Sequence, residues 1–507
     1  MTASLRVDVV VIGAGFAGIA QAIALREAGV ESFVVLERAP RIGGTWRDNT
    51  YPGIACDIPS HLYELGAHPW PYWSRAFAPG AEIQAYLERV VTEESLSPHI
   101  LLNTSMSAAQ WDGVAWRITA MRGTGHPDTS ASEIIADHLV LACGRLTEPR
   151  IPAIAGLGTF RGPLFHSARW DHGALHGDLT GQRIGVVGTG ASAIQLVPEL
   201  ARRGADVVLF QRSPAWIVPR GDHPVDEADI RRYADDPSAL RAHRERLFAE
   251  GEQRFASRSG DENAAAATRD VALDHLAEQV PDPDLRQALT PDYAFGCKRV
   301  LLSDDFYPAI ASGQVRLEPS ALERASGSTL TAASGATYDV DALVLATGFE
   351  TAEQPYARLV TGDNGETLAE HWSTGMAAVA STLVAGFPNL FVVNGPNASL
   401  GHNSSVLISE AQAEFAAALI AERTAAPFAY PDPVRVTQAE EDAASRDVAQ
   451  RAARTPWVTG GCSNWYVDDR SGRLTLLWPG TVADFRLRLS SARVRSRRLT
   501  QNEGAPS

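Results

Sequence analysis

One lysine, Lys298, stands directly before Arg299 in a chain whose 45 lysine and arginine residues are otherwise all arginine. A lysine in such a composition is a candidate for a site that requires a compact ammonium group. The guanidinium of Arg299 is planar and always charged, so it can stabilise an oxyanion that forms during a reaction. A third candidate is Asp57, which follows the Pro52-Gly53 pair and could either cap a turn or pair with a cation.

A glycine-rich turn near the N-terminus is the first element that could position these groups. Residues 6–12, "RVDVVVI", predict a buried parallel strand, and "GAGFAG" opens a helix that precedes a second strand, "SFVVLE". Gly13 makes the tight turn, Gly15 lets the backbone approach a pyrophosphate, and Gly18 allows close helix packing. Glu37, at the end of the second strand, is predicted to bind ribose hydroxyls, while the helix N-terminus faces the phosphates.

The same pattern recurs in "RIGVVGTGASA", where Ala193 replaces the third glycine and still permits close packing. The strand that follows, "DVVLF", ends in Gln211-Arg212-Ser213 and not in an acid. Arg212 and Ser213 would bind a 2′-phosphate that a carboxylate would repel, so this turn is predicted to prefer NADPH to NADH. Two sites with different ribose chemistry indicate one tightly held flavin and one exchanging nicotinamide, between which hydride passes.

Five segments together resemble the type I Baeyer–Villiger monooxygenases, in the order expected for that family and over nearly the whole chain. They are "GGTWRDNTYPGIACD", "FRGPLFHSARWD", "FGCKRVLLSDDFYP", "NGPNASLGHNS" and "CSNWY" followed by "GRLTLLWPG". The second segment carries the family fingerprint, formed by Phe160, Gly162, His166, Trp170 and Asp171. Its Gly162-Pro163 pair predicts an irregular connector, and the resemblance implies that His166 and Trp170 couple domain movement to catalysis.

The resemblance implies an enzyme that uses FAD, NADPH and O₂ on a ketone. NADPH would reduce the flavin, oxygen would add to give a C4a-peroxyflavin, and this would attack the carbonyl to yield an ester or lactone. Arg299 would be the active-site arginine that stabilises the negative oxygen, and Asp57 would pair with it beside the flavin. Lys298 would approach the phosphate end of NADP. We predict Arg299 and Asp57 as the catalytic residues.

The remaining predicted site residues bind the two cofactors, and no metal site is predicted. For FAD, in addition to Gly13, Gly15, Gly18 and Glu37, they are Phe16, Arg38, Gly44, Thr45, Trp46, Cys56, Tyr63 and Met106. For NADPH, in addition to Arg212, Ser213 and Lys298, they are Gly188, Thr189, Gly190, Ala191, Ser192 and Gln195. Trp465, in the late aromatic segment, is a weaker candidate for closing over NADP or substrate.

The predicted fold class is α/β, with two Rossmann-like dinucleotide-binding domains, for FAD and NADP, and a helical insertion. The chain of 507 residues is too long for one ordinary core, which favours this division. The predicted boundaries are 1–148 and 380–507 for the FAD domain, 149–175 for the linker, 176–221 and 296–365 for the NADP domain, and 222–295 for the insertion.

Composition excludes several other classes of protein. The net charge of −15 argues against a nucleic-acid partner, because phosphate contacts require a basic face. No run of 18 apolar residues is present, so no membrane span is expected, and the N-terminus lacks the pattern of a signal peptide. The four cysteines form no C-x-x-C pair, so neither a dithiol redox centre nor a zinc knuckle is expected, and a cytoplasmic location fits.

Three alternative functions stay open or are disfavoured at this point. A monooxygenase that oxidises a nitrogen or sulfur atom is the nearest, although Trp170-Asp171 and Arg299 favour the ketone reaction. A non-catalytic redox sensor would be indicated by loss of Asp57, Arg299 or the glycines, all of which are present. A flavin disulfide reductase is disfavoured by the missing C-x-x-C. The particular ketone and the oligomeric state cannot be derived from the sequence.

Overall fold

A computed structural model describes residues 5–123, 130–425 and 432–502 of the chain. Its strands are β1 (Leu5–Ile12), β2 (Phe33–Leu36), β3 (Ile100–Leu101), β4 (Thr104–Trp111), β5 (Trp116–Arg122), β6 (Ser130–Leu141), β7 (Leu164–His166), β8 (Arg183–Val187), β9 (Asp206–Phe210), β10 (Ile217–Val218), β11 (Leu301–Leu302), β12 (Val315–Glu318), β13 (Leu322–Ser326), β14 (Thr329–Ala332), β15 (Thr337–Asp339), β16 (Ala342–Leu345), β17 (Val360–Thr361) and β18 (Leu390–Val392).

The helices lie on both faces of the sheets and also form a separate layer. They are α1 (Phe16–Glu27), α2 (Thr45–Asp48), α3 (Gly80–Glu93), α4 (Ala191–Arg202), α5 (Glu227–Asp235), α6 (Pro237–Gln253), α7 (Glu262–Gln279), α8 (Pro283–Leu289), α9 (Phe306–Ala311), α10 (Leu368–His371), α11 (Ser405–Thr424), α12 (Gln438–Ala452), α13 (Pro456–Thr459) and α14 (Val482–Asn502). None of these helices, as far as the chain is described, is long and apolar enough to cross a membrane.

The first sheet is built around β1 and has the order β17-β4-β5-β6-β1-β2-β3, with β18 also paired to β6. β1 pairs in parallel with β2 and β6, and its side chains from Val9 to Val11 are fully buried. A strand buried on both faces must be covered by helices, which explains why its apolar residues run on without alternation. α1 and α11 pack together against one face and enclose the largest core.

The second sheet is parallel throughout, with the order β12-β9-β8-β16-β7. Its edge strand β7 pairs with β16 and lies inside the fingerprint segment. The prediction of an irregular connector was therefore wrong for residues 164–166. The Gly162-Pro163 pair interrupts regular secondary structure only up to the residue before the strand. The strand itself has three residues, which are too few to show the periodicity of a strand.

The chain crosses between the two sheets twice, and the crossings lie side by side. The amide of Arg150 donates to the carbonyl of Gly348 at 2.9 Å, and the amide of Glu350 donates to the carbonyl of Glu148 at 2.9 Å. The helices α5 to α8 form the insertion, which lies in the chain between strands β9 and β12 of the second sheet. The predicted α/β fold class, with two Rossmann-like dinucleotide-binding domains and a helical insertion, is confirmed.

Candidate active site

The first glycine turn, Gly13–Gly18, joins β1 to α1 and leaves no room for a side chain at Gly13 or Gly18. Gly13 has a φ of +103°, and a Cβ there would lie 2.6 Å from the Ala142 carbonyl oxygen. A Cβ on Gly18 would lie 1.8 Å from the Gly13 carbonyl oxygen. The N-cap residue Gly15 offers no side-chain hydrogen bond, and the first turn of α1 has no acidic residue. Its amide groups and positive dipole end are therefore available to a phosphate.

Glu37 closes the far end of this turn. Its Oε2 accepts a hydrogen bond from the amide of Ala14 at 3.0 Å, and its Oε1 accepts from Nη1 of Arg47 at 2.7 Å. The side chain is 4% exposed, so its charge is held by hydrogen bonds in a largely dry position. Neighbouring Arg38 turns outward and pairs with Glu148 at 2.6 Å.

The segment 43–57 lies against the first turn. The amide of Gly43 donates to the Ala14 carbonyl at 2.8 Å, and a Cβ on Gly15 would lie 3.6 Å from the Cα of Gly44. Gly44 is the N-cap of the short helix α2, which begins with Thr45. Two glycine backbones thus face each other where a flat or charged ligand group would need close approach.

An aromatic group lies beside this contact and provides the apolar wall. Phe16 meets Tyr63 edge-on at 5.1 Å between ring centroids, and Tyr63 meets Trp46 edge-on at 5.6 Å. Burial raises the pKa of the Tyr63 hydroxyl and of the Cys56 thiol, so both stay protonated. Met106 lies farther away in β4, where it is 7% exposed and belongs to the core beneath the first sheet.

The second glycine turn, Gly188–Ala193, repeats the first between β8 and α4. Gly188 has a φ of +107°, and a Cβ there would lie 2.5 Å from the Ala346 carbonyl oxygen. Gly190 is the N-cap of α4 without a side-chain hydrogen bond, and Ala191 and Ser192 form the first turn of the helix. By contrast, α6, α7 and α8 of the insertion are each capped by an aspartate. The N-termini of α1 and α4, which both follow glycine turns, are thus left open to an anion.

Gln195 ties this helix to the segment 43–57. Its Nε2 donates to the Ala55 carbonyl at 3.0 Å, and its Oε1 accepts from the Tyr51 hydroxyl at 3.1 Å. A Cβ on Gly53 would lie 2.7 Å from the Gln195 carbonyl oxygen, which explains the glycine there. The described contacts of the Gln195 side chain are therefore with this segment, which reaches from the first glycine turn to α4.

The predicted phosphate end of the second site brings a lysine and an arginine together. Lys298 Nζ donates to Oγ of Ser213 at 2.7 Å and lies 4.7 Å from the centre of the Tyr293 ring. Burial lowers the pKa of Lys298, and the charge of Arg212 lowers it further. Thr189 Oγ1 donates to the Ser213 carbonyl at 3.0 Å and so connects this corner to the glycine turn. Neither cation has a carboxylate within ion-pair distance among the described residues, as expected of a site for a phosphate.

Arg299 and Asp57, 242 residues apart in sequence, form an ion pair. Nε of Arg299 donates to Oδ2 of Asp57 at 3.0 Å, and Nη2 donates to the same oxygen. Their side chains are 32% and 26% exposed, so the pair is partly accessible and is not sealed in the core. The charge of Asp57 raises the pKa of Arg299, which keeps the guanidinium charged. Arg220 donates to the Cys56 carbonyl at 2.9 Å and holds the chain next to Asp57.

The fingerprint residues lie in and around β7, the edge strand of the second sheet. His166 accepts a hydrogen bond at Nδ1 from the amide of Ala168 at 3.1 Å, and burial lowers the pKa of its ring to about 4. Trp170 packs edge-on against Phe165 at 5.0 Å within the core of the second sheet. Asp171 caps a turn by accepting from the amide of Gly173 at 2.8 Å.

The other two fingerprint positions are fixed by packing. A Cβ on Gly162 would lie 2.1 Å from the Asp341 carbonyl oxygen. Phe160 is partly buried against the core that includes Leu330 and Leu343. These residues hold the fingerprint segment to the second sheet and do not contact the Arg299–Asp57 pair in any described hydrogen bond.

Two features next to Arg299 have no counterpart in the sequence predictions. Cys297 forms a disulfide with Cys462, 165 residues away. Tyr466 is 1% exposed and lies near Arg299. No C-x-x-C spacing indicates the bond, and pairing between distant cysteines cannot be read from spacing alone. The "CSNWY" segment was the available signal, because it combines a cysteine with the two aromatic residues.

Comparison with known proteins agrees with this arrangement. Residues 7–234 match the family model described as pyridine nucleotide-disulphide oxidoreductase. The chain is 42% identical over 488 residues to a Baeyer-Villiger monooxygenase of Streptomyces coelicolor, covering 95% of this chain and 90% of that relative. A polycyclic ketone monooxygenase from the fungus Thermothelomyces thermophila has a similar structure, with a TM-score of 0.85, 25% identity and coverage of 98% and 89%.

A complex of OTEMO with FAD and NADP is similar as well, with a TM-score of 0.83, 26% identity and coverage of 97% of this chain and 98% of that one. Both glycine turns have the open helix N-termini and close backbone contacts that dinucleotides require. The chain therefore belongs to the Baeyer–Villiger monooxygenases and is a flavoprotein monooxygenase that uses FAD and NADPH.

Proposed function

We propose that this enzyme inserts one oxygen atom from O₂ next to the carbonyl of a ketone, and that Arg299 and Asp57 are its catalytic residues. The observation that supports this is the Arg299–Asp57 ion pair at the end of the segment 43–57. That segment contacts the first glycine turn at Gly44 and the second-domain helix α4 at Ala55. These two contacts support a position for the pair between the two cofactors.

Each partner of the ion pair has a separate task in the proposed reaction. Asp57 accepts two hydrogen bonds through one oxygen and so fixes the plane of the guanidinium. The N–H groups of Arg299 that do not bind Asp57 would donate to an oxygen that becomes negatively charged during the reaction. Bound FAD supplies the redox chemistry and the reaction with O₂. A cation held in a fixed direction stabilises developing negative charge without the reorganisation that water would need.

Isotope labelling tests the proposed reaction. The holoenzyme, NADPH and ¹⁸O₂ are incubated with a panel of cyclic, aromatic and polycyclic ketones, and products are analysed by mass spectrometry. The expected product is an ester or lactone that carries one ¹⁸O. A thioether panel run in parallel measures heteroatom oxidation. Labelled sulfoxide without any labelled ester across the panel would overturn the proposal, as would hydrogen peroxide as the only oxygen product.

The preference for NADPH is proposed to come from Arg212, Ser213 and Lys298. Arg212→Ala and Lys298→Ala should each lower kcat/KM for NADPH by about 10- to 100-fold, because each removes a charged hydrogen bond to the 2′-phosphate. The value for NADH should not change, since NADH lacks that phosphate. Steady-state rates with both nucleotides measure the ratio. Arg202→Ala, on the outer face of α4 with a side chain 58% exposed, is the matched control. An equal loss with both nucleotides would contradict the assignment.

A ketone as small-molecule partner and a cytoplasmic location complete the proposal. Free NADPH and FAD are supplied inside cells, which supports the location, whereas the Cys297–Cys462 disulfide is of a kind that is rare in the reducing cytoplasm. The net charge of −15 supports the absence of a nucleic-acid partner.

A further inference from the structure

Two segments meet beside the catalytic pair and are joined by a hydrogen bond and a disulfide. The Arg299 loop comprises residues 294–299, and the Tyr466 segment comprises residues 460–467. The amide of Ala294 donates to the carbonyl of Gly460 at 3.1 Å, and Cys297 is bonded to Cys462. A Cβ on Gly460 would lie 2.7 Å from the Cβ of Cys297, so only glycine allows this approach. The two segments are therefore held together by a covalent bond and pack closely against each other.

The Tyr466 segment is itself rigid. Asn464 donates to the Trp457 carbonyl at 2.8 Å and accepts from the amide of Tyr466 at 3.0 Å. The carbonyl of Tyr466 accepts from the amide of Thr475 at 3.1 Å. The Tyr466 ring lies 4.4 Å from the Trp465 ring, within a small core of its own. Its position is thus set by backbone and ring contacts that do not involve Arg299.

Arg258 lies beside the Arg299 loop, because a Cβ on Gly296 would lie 3.6 Å from its Cγ. Tyr466 interacts electrostatically with both Arg299 and Arg258. Burial raises the pKa of Tyr466 to about 12, and the charges of Arg299 and Arg258 oppose that rise. Arg258 is 8% exposed and donates from Nη1 to the Arg254 carbonyl at 3.0 Å and to Ser257 Oγ at 2.8 Å. It has no carboxylate within ion-pair distance among the described residues. Two guanidinium groups that repel each other therefore lie near one neutral phenol that can accept from them.

We propose that Tyr466 is a positioning residue for Arg299 and that the Cys297–Cys462 disulfide holds Tyr466 in place for this task. The inference rests on the proposed function, because it assumes that Arg299 acts on the reacting oxygen. Asp57 restrains the guanidinium from one side through Nε and Nη2. Tyr466 restrains it from another and offsets its repulsion by Arg258. Without Tyr466, Arg299 would keep its ion pair with Asp57 and lose its fixed direction.

The disulfide matters because of where its ends lie in the chain. Cys297 stands two residues before Arg299, and Cys462 stands four residues before Tyr466. A cross-link over 165 residues removes many alternative arrangements of two otherwise separate segments. Reduction by a dithiol would transfer two electrons and two protons to the bond, giving two thiols and an oxidised dithiol. The Tyr466 segment would then be held by hydrogen bonds and packing alone.

Tyr466→Phe tests the positioning role because it removes one hydroxyl and keeps the ring. We expect kcat for ester formation to fall about tenfold, by loss of a hydrogen bond to a charged group. The KM for NADPH should stay the same, and the share of NADPH that yields hydrogen peroxide should rise. Tyr338→Phe is the matched control, because Tyr338 lies in β15 and its hydroxyl donates to Glu318 at the end of β12. An equal share of NADPH converted to hydrogen peroxide in both variants would overturn the proposal.

A second measurement tests the tether without any activity. The holoenzyme is denatured and treated with a maleimide, with and without dithiothreitol, and the labels are counted by mass spectrometry. Two labelled cysteines, Cys56 and Cys143, are expected before reduction and all four after it. Hydrogen exchange in the native holoenzyme should become faster in residues 294–299 and 460–467 together after reduction. Four labels before reduction, or exchange that does not change, would overturn the role of the bond.

The results separate the inference from the proposed function. If the unmodified enzyme makes no labelled ester with any ketone, the proposed function fails. If it makes ester and Tyr466→Phe behaves like Tyr338→Phe, the positioning role fails while the proposed function stands.

Discussion

Arg299→Ala is expected to lower ester formation by about two to three orders of magnitude, the usual loss when an oxyanion donor is removed. NADPH should still be consumed, with oxygen released as hydrogen peroxide. The reason is geometric: Arg299 pairs with Asp57, while the two glycine turns and the Lys298–Ser213 corner are formed by other residues. Product yield and hydrogen peroxide, each per NADPH oxidised, measure the effect.

The same substitution leaves Asp57 without its cation, so a double-mutant cycle separates the two causes. Arg299→Ala, Asp57→Asn and the double variant are compared, because residues that act as a unit give non-additive losses. We expect the double variant to be about as impaired as Arg299→Ala alone. Arg299→Lys keeps the charge but not the planar fork and should recover only part of the rate. Full ester yield from Arg299→Ala would contradict the assigned role.

Gly18→Ala is expected to produce a protein that retains little flavin. The added Cβ would lie 1.8 Å from the Gly13 carbonyl oxygen, so α1 would have to move away from the turn that faces the phosphates. Overpacking of this kind costs about 1–3 kcal/mol, which corresponds to FAD bound about 5- to 150-fold more weakly. The ratio of flavin absorbance to protein absorbance after purification measures retention.

A glycine with free space provides the control for this prediction. A Cβ on Gly158 would meet nothing within 4 Å. Gly158→Ala should therefore keep its flavin and unfold at the same temperature as the unmodified protein. Flavin retention by Gly18→Ala equal to that of Gly158→Ala would show that the turn tolerates the displacement.

The parts of the fold that could be predicted are those written in short stretches of chain. Each glycine turn needs a strand, a few fixed positions and a helix, and all lie within about 30 residues. The spacing therefore predicts a tight turn at Gly13 and at Gly188, and both glycines have a positive φ. The Arg299–Asp57 pair came from the family resemblance, since 242 residues separate them and no local pattern joins them.

The parts that could not be predicted depend on contacts between distant segments. Gln195 contacts Tyr51 and Ala55 and so joins α4 to the segment 43–57 through one side-chain amide. The motif predicts that Gln195 binds the cofactor, which stays a prediction, and it does not indicate this contact. The bond between Cys297 and Cys462 likewise joins segments that only the folded chain brings together. Strand β7 was not predicted, because it has three residues and follows Pro163, which indicates irregular structure; its partner β16 is distant in the sequence.

The paired crossings at residues 148–150 and 348–350 determine which relative motions the two sheets can make. Two neighbouring connections joined by backbone hydrogen bonds form a narrow antiparallel ribbon. Such a ribbon twists and bends more easily than it shears, because sliding one connection along the other would break both hydrogen bonds. Rotation about the ribbon as a hinge is therefore the mode that this connection favours. Since β7 is bonded to β16, His166 and the second sheet would turn as one rigid body about that axis.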